Sequence, residues 1–169
     1  KIFTSNIELV EESNIDVYGY GFDNFYCKNS DIEKIKIKNP EKINILITHG
    51  TLDGVTIEDR EYNPIKRKSL EQIGFDYIAL GHIHKLDYST NIVYPGSTIS
   101  LGFDELGDHG MIVGNIQKNS LELNFVPLDD EEFKEIEMDI TDIITKEELI
   151  EKINELNKKI NQYVKIILI

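Results

Sequence analysis

A chain of 169 residues, 40% of them apolar and 29% charged, has material for one globular domain or a domain with a small appendage. Its formal net charge of −13 speaks against broad electrostatic binding of nucleic acid, which needs clustered Lys and Arg, so any phosphate chemistry has to be local. No stretch approaches the roughly 20 apolar residues of a membrane-spanning helix, nothing near Lys1 resembles a signal segment, and the lone Cys27 cannot form an intrachain disulfide; a cytoplasmic location is expected.

Lys1 to Phe3 and Ile7 to Val10 have strand composition, and Ile15 to Tyr20 alternates as a half-buried strand that the glycines at 19 and 21 end. Asp31 to Lys38 alternates charged residues with Ile32, Ile35 and Ile37, but the spacing slips once and leaves strand and short helix both open. The lysines there read as a solvated face. After the Asn39-Pro40 break, Ile43 to Ile47 forms a buried strand that runs straight into Thr48-His49-Gly50. Asn63-Pro64 then offers a cap and first-turn proline for a helix to about Ile73, with Gly74 just past its end. The basic cluster Lys66-Arg67-Lys68 falls on that helix's exposed first turn.

Tyr77 to Leu80 is too short and too continuously apolar for an amphipathic helix, so it reads as a second buried strand. Strand, helix and strand in that order make a βαβ unit. Gly81-His82-Ile83-His84 follows at once. If the chain stays extended past Gly81, His82 and His84 share one side and Ile83 returns to the core. An isolated histidine at a strand end is usually a hydrogen-bonded structural residue. Three of them at two strand-to-loop junctions point instead to a metal site at the carboxyl edge of the sheet, where open α/β folds gather their ligands. No cysteine cluster accompanies them, so an open site is a better match than a structural zinc site.

Beyond His84 the pattern changes to short strands and tight turns: Lys85 to Ser89, Ile92 to Tyr94, Thr98 to Phe103, Met111 to Ile116 and Leu121 to Val126. These predict an antiparallel meander with a hairpin turn at Gln117 to Ser120. Pro95-Gly96-Ser97 is a sharp corner, and His109 sits in a glycine-flanked loop without a partner histidine nearby in sequence, so it is not counted as a ligand. Past the acidic connector Asp129 to Glu132, Phe133 to Ile140 alternates as a strand. Thr145 and Glu148 are spaced as a capping box for a helix with Leu149, Ile153, Leu156 and Ile160 on one face, and Tyr163 to Ile169 closes a second βαβ pattern. Nothing in this unit suggests catalysis.

Ile45-Leu46-Ile47-Thr48-His49-Gly50, the stretch from Gly74 to Lys85 and Val93-Tyr94-Pro95-Gly96-Ser97 together resemble the calcineurin-like metallophosphoesterases, and among them the bacterial SbcD-like and YhaO-like DNA-repair exonucleases. The resemblance implies an α/β fold in which residues 1–127 form the C-terminal half of the phosphoesterase sandwich and 128–169 the start of a capping domain. It makes His49 and His82 ligands of one metal ion and His84 a ligand of its neighbour, in a two-metal site that usually holds Mn2+. DNA is the implied substrate and an SbcC-like ATPase an implied partner. The Asp-x-His, bridging Gly-Asp and Gly-Asn-His motifs that the family carries upstream of the position of His49 do not occur there, so no catalytic residue is assigned within the chain. With no initiator Met and an end inside an apolar run, the sequence is expected to be a piece of a longer protein. Alone it is expected to be inactive and to self-associate through an uncovered sheet edge. Two other readings stay open: a phosphoesterase acting on small nucleotides or other phosphate esters, and a non-catalytic docking or oligomerisation segment.

Overall fold

A computed structural model describes residues 2–22, 27, 30–53, 62–128, 132–156 and 162–169. The architecture is α/β. Its centre is a mixed five-stranded sheet in the order β1 (Glu8–Glu11), β2 (Ile15–Tyr20), β3 (Ile43–His49), β6 (Tyr77–Gly81), β7 (Ile92–Val93). Only β1 runs antiparallel to its neighbour; β2, β3, β6 and β7 are mutually parallel. Between β3 and β6 lie a short parallel pair, β4 (Thr51–Leu52) with β5 (Pro64–Ile65), and helix α1 (Arg67–Ile73). The expected βαβ unit is therefore present.

Alternation decides the faces. On β3 the side chains of Asn44, Leu46 and Thr48 are buried, while Ile47 and His49 lie exposed on the opposite row. The buried row joins Tyr18, Tyr20, Ile78 and Leu80 against Leu70 of α1, Ile32, Phe75 and Ile92 in one core. Burying each such side chain stabilises the fold by about 1.5–3 kcal/mol before entropy is counted. Gly74 ends α1 in the left-handed conformation, φ 84°, and its N–H caps the Leu70 carbonyl.

The helix starts later than the Asn63-Pro64 pair predicts. Asn63 is fully buried with φ 44° and its amide is engaged elsewhere, Pro64 opens β5, and Asp53 Oδ1 accepts the Arg67 N–H at 2.7 Å in place of a local cap. The open segment 31–38 contains one 3-10 turn, Ile32–Lys34. Residues 2 and 3 are not in a strand.

The expected meander is corrected in three places. Ile92–Val93 pairs parallel, with β6; Lys85 to Ser89 contributes only an isolated bridge, Asp87 to Tyr94; and Thr98 to Phe103 is irregular. In that last segment the polar groups bond locally: Ser100 Oγ donates to the carbonyls of Gly102 and Glu105, which favours a turn over a ladder. The hairpin of β8 (Gly110–Gln117) and β9 (Ser120–Pro127) forms as expected, with Asn119 at φ 65° in its turn.

A polar clasp closes the amino end of the central sheet. The fully buried Asp16 accepts from Asn39 Nδ2 at 2.7 Å and Lys42 Nζ at 2.9 Å. Asp76 accepts from Asn44 N at 2.8 Å and from Lys118 Nζ, in the hairpin turn, at 2.9 Å. Asn44 Nδ2 donates to the carbonyls of Asn39 and Lys42, and Lys118 Nζ donates to the latter too.

The last unit is β10 (Glu132–Met138), α2 (Lys146–Leu156) and β11 (Gln162–Leu168), with the two strands parallel. The capping box is formed: Glu148 N donates to Thr145 Oγ1 at 3.2 Å while Glu148 Oε2 accepts from Thr145 N at 3.1 Å. Ile160 and most of the acidic connector lie outside the described residues. Phe133 stacks on Tyr163 and meets Phe103 edge-on, centroids 4.7 and 5.1 Å apart. Among the described residues no helix is long and apolar enough to cross a membrane.

Candidate metal centre

The parallel pairing of β3 with β6 sets His49 opposite Gly81, one residue before His82. A Cβ on Gly81 would come within 2.8 Å of His49 Nδ1, so only glycine leaves room for the imidazole there. The rings of His49 and His82 then stand 5.1 Å apart, tilted at 62°. Tyr62 flanks His82 at 4.9 Å, and Phe22 flanks His49 at 5.9 Å.

The chain does not stay extended past Gly81. His82 adopts φ 102°, a conformation that costs a non-glycine residue about 1–3 kcal/mol and tends to occur where function demands it. The His82 ring meets that of His49, and His84 Nδ1 reaches the carboxylate of Glu105. Ile83 packs against the core as expected.

His82 Nε2 is buried and pairs with nothing among the described residues. Such an orphan is expensive unless a ligand meets it. Burial, and then the neighbouring imidazoles of His49 and His84, push His82 below its ordinary value of 6.5. Burial and then His84 do the same to His49. Both shifts favour the neutral form that a metal ion requires.

The loops carrying these histidines are fastened by residues of the Tyr-Pro-Gly-Ser stretch. Tyr94 Oη donates to the Gly50 carbonyl at 2.8 Å and accepts from Leu52 N at 2.9 Å, pinning the turn after His49. Gly96, at φ 76°, lets the His84 carbonyl approach where a Cβ would sit 2.9 Å from it, and Ser97 N donates to that carbonyl at 3.2 Å. Asn63 Nδ2 donates to the His49 carbonyl at 2.8 Å. His109 is a buried structural residue: its Nε2 lies 2.8 Å from the Glu105 carbonyl and its Nδ1 2.9 Å from Ser97 Oγ.

The donor set suits a divalent cation in kind, with two neutral imidazoles and an orphaned nitrogen at one place. It is not a closed site: no group of three or more His, Cys, Asp or Glu among the described residues is close enough to hold one ion. Sequence reasoning missed Glu105, Asn63 and Tyr62. Asn63 was read as a helix cap, and nothing in the spacing joins Glu105 to His84, 21 residues away.

No family model matches the chain. It is distantly similar to a protein of Bacillus subtilis (strain 168) described as the uncharacterized metallophosphoesterase YhaO, 24% identical over 150 residues that make up 86% of this chain and 36% of the relative. The chain thus spans little more than a third of the length of the curated relative it matches.

Proposed function

We propose that this chain contributes part of the two-metal centre of a phosphodiesterase, with His49 and His82 as ligands of one ion and His84 of its neighbour. The observation that carries this reading is the buried, unpaired His82 Nε2 beside His49, on a backbone strained to put it there. When bound, the ions would polarise the phosphodiester and supply a nucleophilic hydroxide. The chain's own part is to keep the imidazoles neutral and fixed; the remaining ligands and the general acid come from a segment outside these residues. Mixed imidazole and carboxylate ligation does not by itself select a metal, so manganese is proposed on the resemblance alone.

DNA is the proposed substrate, through the SbcD-like resemblance, with an SbcC-like ATPase as partner. A small phosphate ester is the second reading, and the net charge of −13 favours it. The test is hydrolysis by the longer protein, with added Mn2+, of linear duplex DNA and of a small chromogenic phosphodiester. Turnover of the duplex supports the first reading, and turnover of the small diester alone supports the second. No metal-dependent turnover of either would end both. The isolated chain should turn over neither, and it should self-associate: Ile47, on the open row of β3, is 43% exposed. A single monomeric mass across a light-scattering dilution series would contradict that.

A further inference from the structure

The network behind His84 has a polarity that hydrogen-bond chemistry fixes. A carbonyl oxygen can only accept, so His109 Nε2 donates its proton to the Glu105 carbonyl, 2.8 Å away. In a neutral ring Nδ1 is then an acceptor and takes the Ser97 hydroxyl proton at 2.9 Å. This leaves the 3.4 Å approach of Ser97 Oγ to Glu105 Oε2 as a weaker second contact. Leu101 N also points at Oε2, at 3.4 Å. Glu105 is thus held from its backbone and from one carboxylate oxygen by groups that do not involve His84.

Its other oxygen, Oε1, meets His84 Nδ1. The Glu105 side chain is only 14% exposed, whereas that of His84 is 56% exposed. A half-buried, anchored acceptor therefore faces an open ring, and the acceptor sets the ring's tautomer. An ionised carboxylate can only accept, so Nδ1 carries a proton, and in the neutral ring the lone pair is therefore on Nε2.

We propose that Glu105 is a positioning residue of the candidate metal centre: it locks His84 in the tautomer and orientation that turn the Nε2 lone pair outward, toward a metal ion. The proposal rests on the reading of His84 as a ligand. It assigns no chemistry to Glu105 itself, which acts through His84, and it gives the Ser97 to His109 segment the task of bracing that carboxylate. Carboxylates behind ligating histidines commonly play this part, fixing the ring and raising its basicity.

The test begins on the metal-free chain, isotope-labelled, with the imidazole nitrogens observed by NMR well above the ordinary histidine range. His84 is identified by its loss in His84→Gln. In the wild type its Nδ1 should be protonated and Nε2 bare. In Glu105→Leu the ring should revert toward the Nε2-protonated form that an unconstrained histidine favours. Glu105→Gln, whose amide oxygen can still accept, should retain part of the wild-type state and keeps the shape of the site should the leucine variant fail to fold. Titration with Zn2+ alone, followed at the His84 signals, should show affinity falling about 10- to 100-fold in Glu105→Leu, with partial recovery in Glu105→Gln. A wild-type His84 protonated on Nε2, or a tautomer unchanged in both variants, overturns the proposal. Where the wild-type chain shows the locked tautomer but binds no Zn2+ alone, the affinity comparison is made in the longer protein, and equal Zn2+ affinity of wild type and Glu105→Leu there overturns the proposal.

Discussion

The two ends of the central sheet are built from the same strands and treat polarity in opposite ways. At the amino end, Asp16, Asn39, Lys42, Asn44, Asp76 and Lys118 answer one another, and Asn44 Oδ1 is the one buried side-chain atom there without a partner among the described residues. At the carboxyl end, the rings of His49 and His82 face each other, His82 Nε2 has no partner among the described residues, and the backbone of His82 is strained. A satisfied polar cluster holds a fold together. One that leaves a ring nitrogen unpaired among the described residues, on loops fastened by Tyr94, Gly96 and Asn63, adds polarity without adding to that hold.

The comparison breaks most visibly if changes at the two ends have the same consequence. His82→Ala in the longer protein should reduce metal-dependent phosphodiester hydrolysis to the metal-free background while leaving the melting temperature close to wild type. Steady-state rates beside a thermal melt read both at once. Asp76→Ala should do the reverse. It leaves the buried Asn44 N–H unanswered and the Lys118 ammonium with the Lys42 carbonyl but no carboxylate, a loss of about 1–3 kcal/mol by denaturant unfolding, without altering metal affinity. A stable Asp76→Ala protein with impaired metal binding would erase the distinction.

Acid should separate the ends by pH. For the histidines, a folded value depressed below 6.5 means that the unfolded chain binds protons first, so their contribution is present above 6.5 and is lost as pH falls below it. Burial drives the Asp16 carboxyl upward, but hydrogen bonds from Asn39 and Lys42 outweigh it, so the folded value lies below 3.8 and its contribution is lost only as pH falls below 3.8. Unfolding midpoints measured against pH should fall in two steps, and a His49→Gln/His82→Gln double variant should lack the upper one. The smallest effect expected is at the strained residue: His82→Gly should raise stability by about 1 kcal/mol, because glycine accepts φ 102° without penalty.

Much of this was legible in the sequence wherever a local pattern decides the structure. Strands β3 and β6, the helix between them, the β8–β9 hairpin and the Thr145–Glu148 box follow from periodicity and capping over a few residues. What was hidden depends on contacts between distant segments. Asn63-Pro64 looks like a helix start, yet the buried amide of Asn63 is committed to the His49 carbonyl, and the helix begins at Arg67 instead. Strand continuation past Gly81 is the natural reading of a period-2 pattern, but the turn at His82 is imposed by its surroundings. Glu105 carries no local mark, because its meaning comes from His84 and His109.

The β8–β9 hairpin touches both ends. Its turn is tied through Lys118 to Asp76 and Lys42, and its open end through the Gly110 N–H to Ser97 and the Leu128 N–H to His109. Eight residues of strand span about 26 Å, so the hairpin is a tie rod running the length of the sheet. In mechanical terms the separation of the two ends is a gauge length, and a lengthened turn at Lys118 would be felt as play in the bracing behind His84.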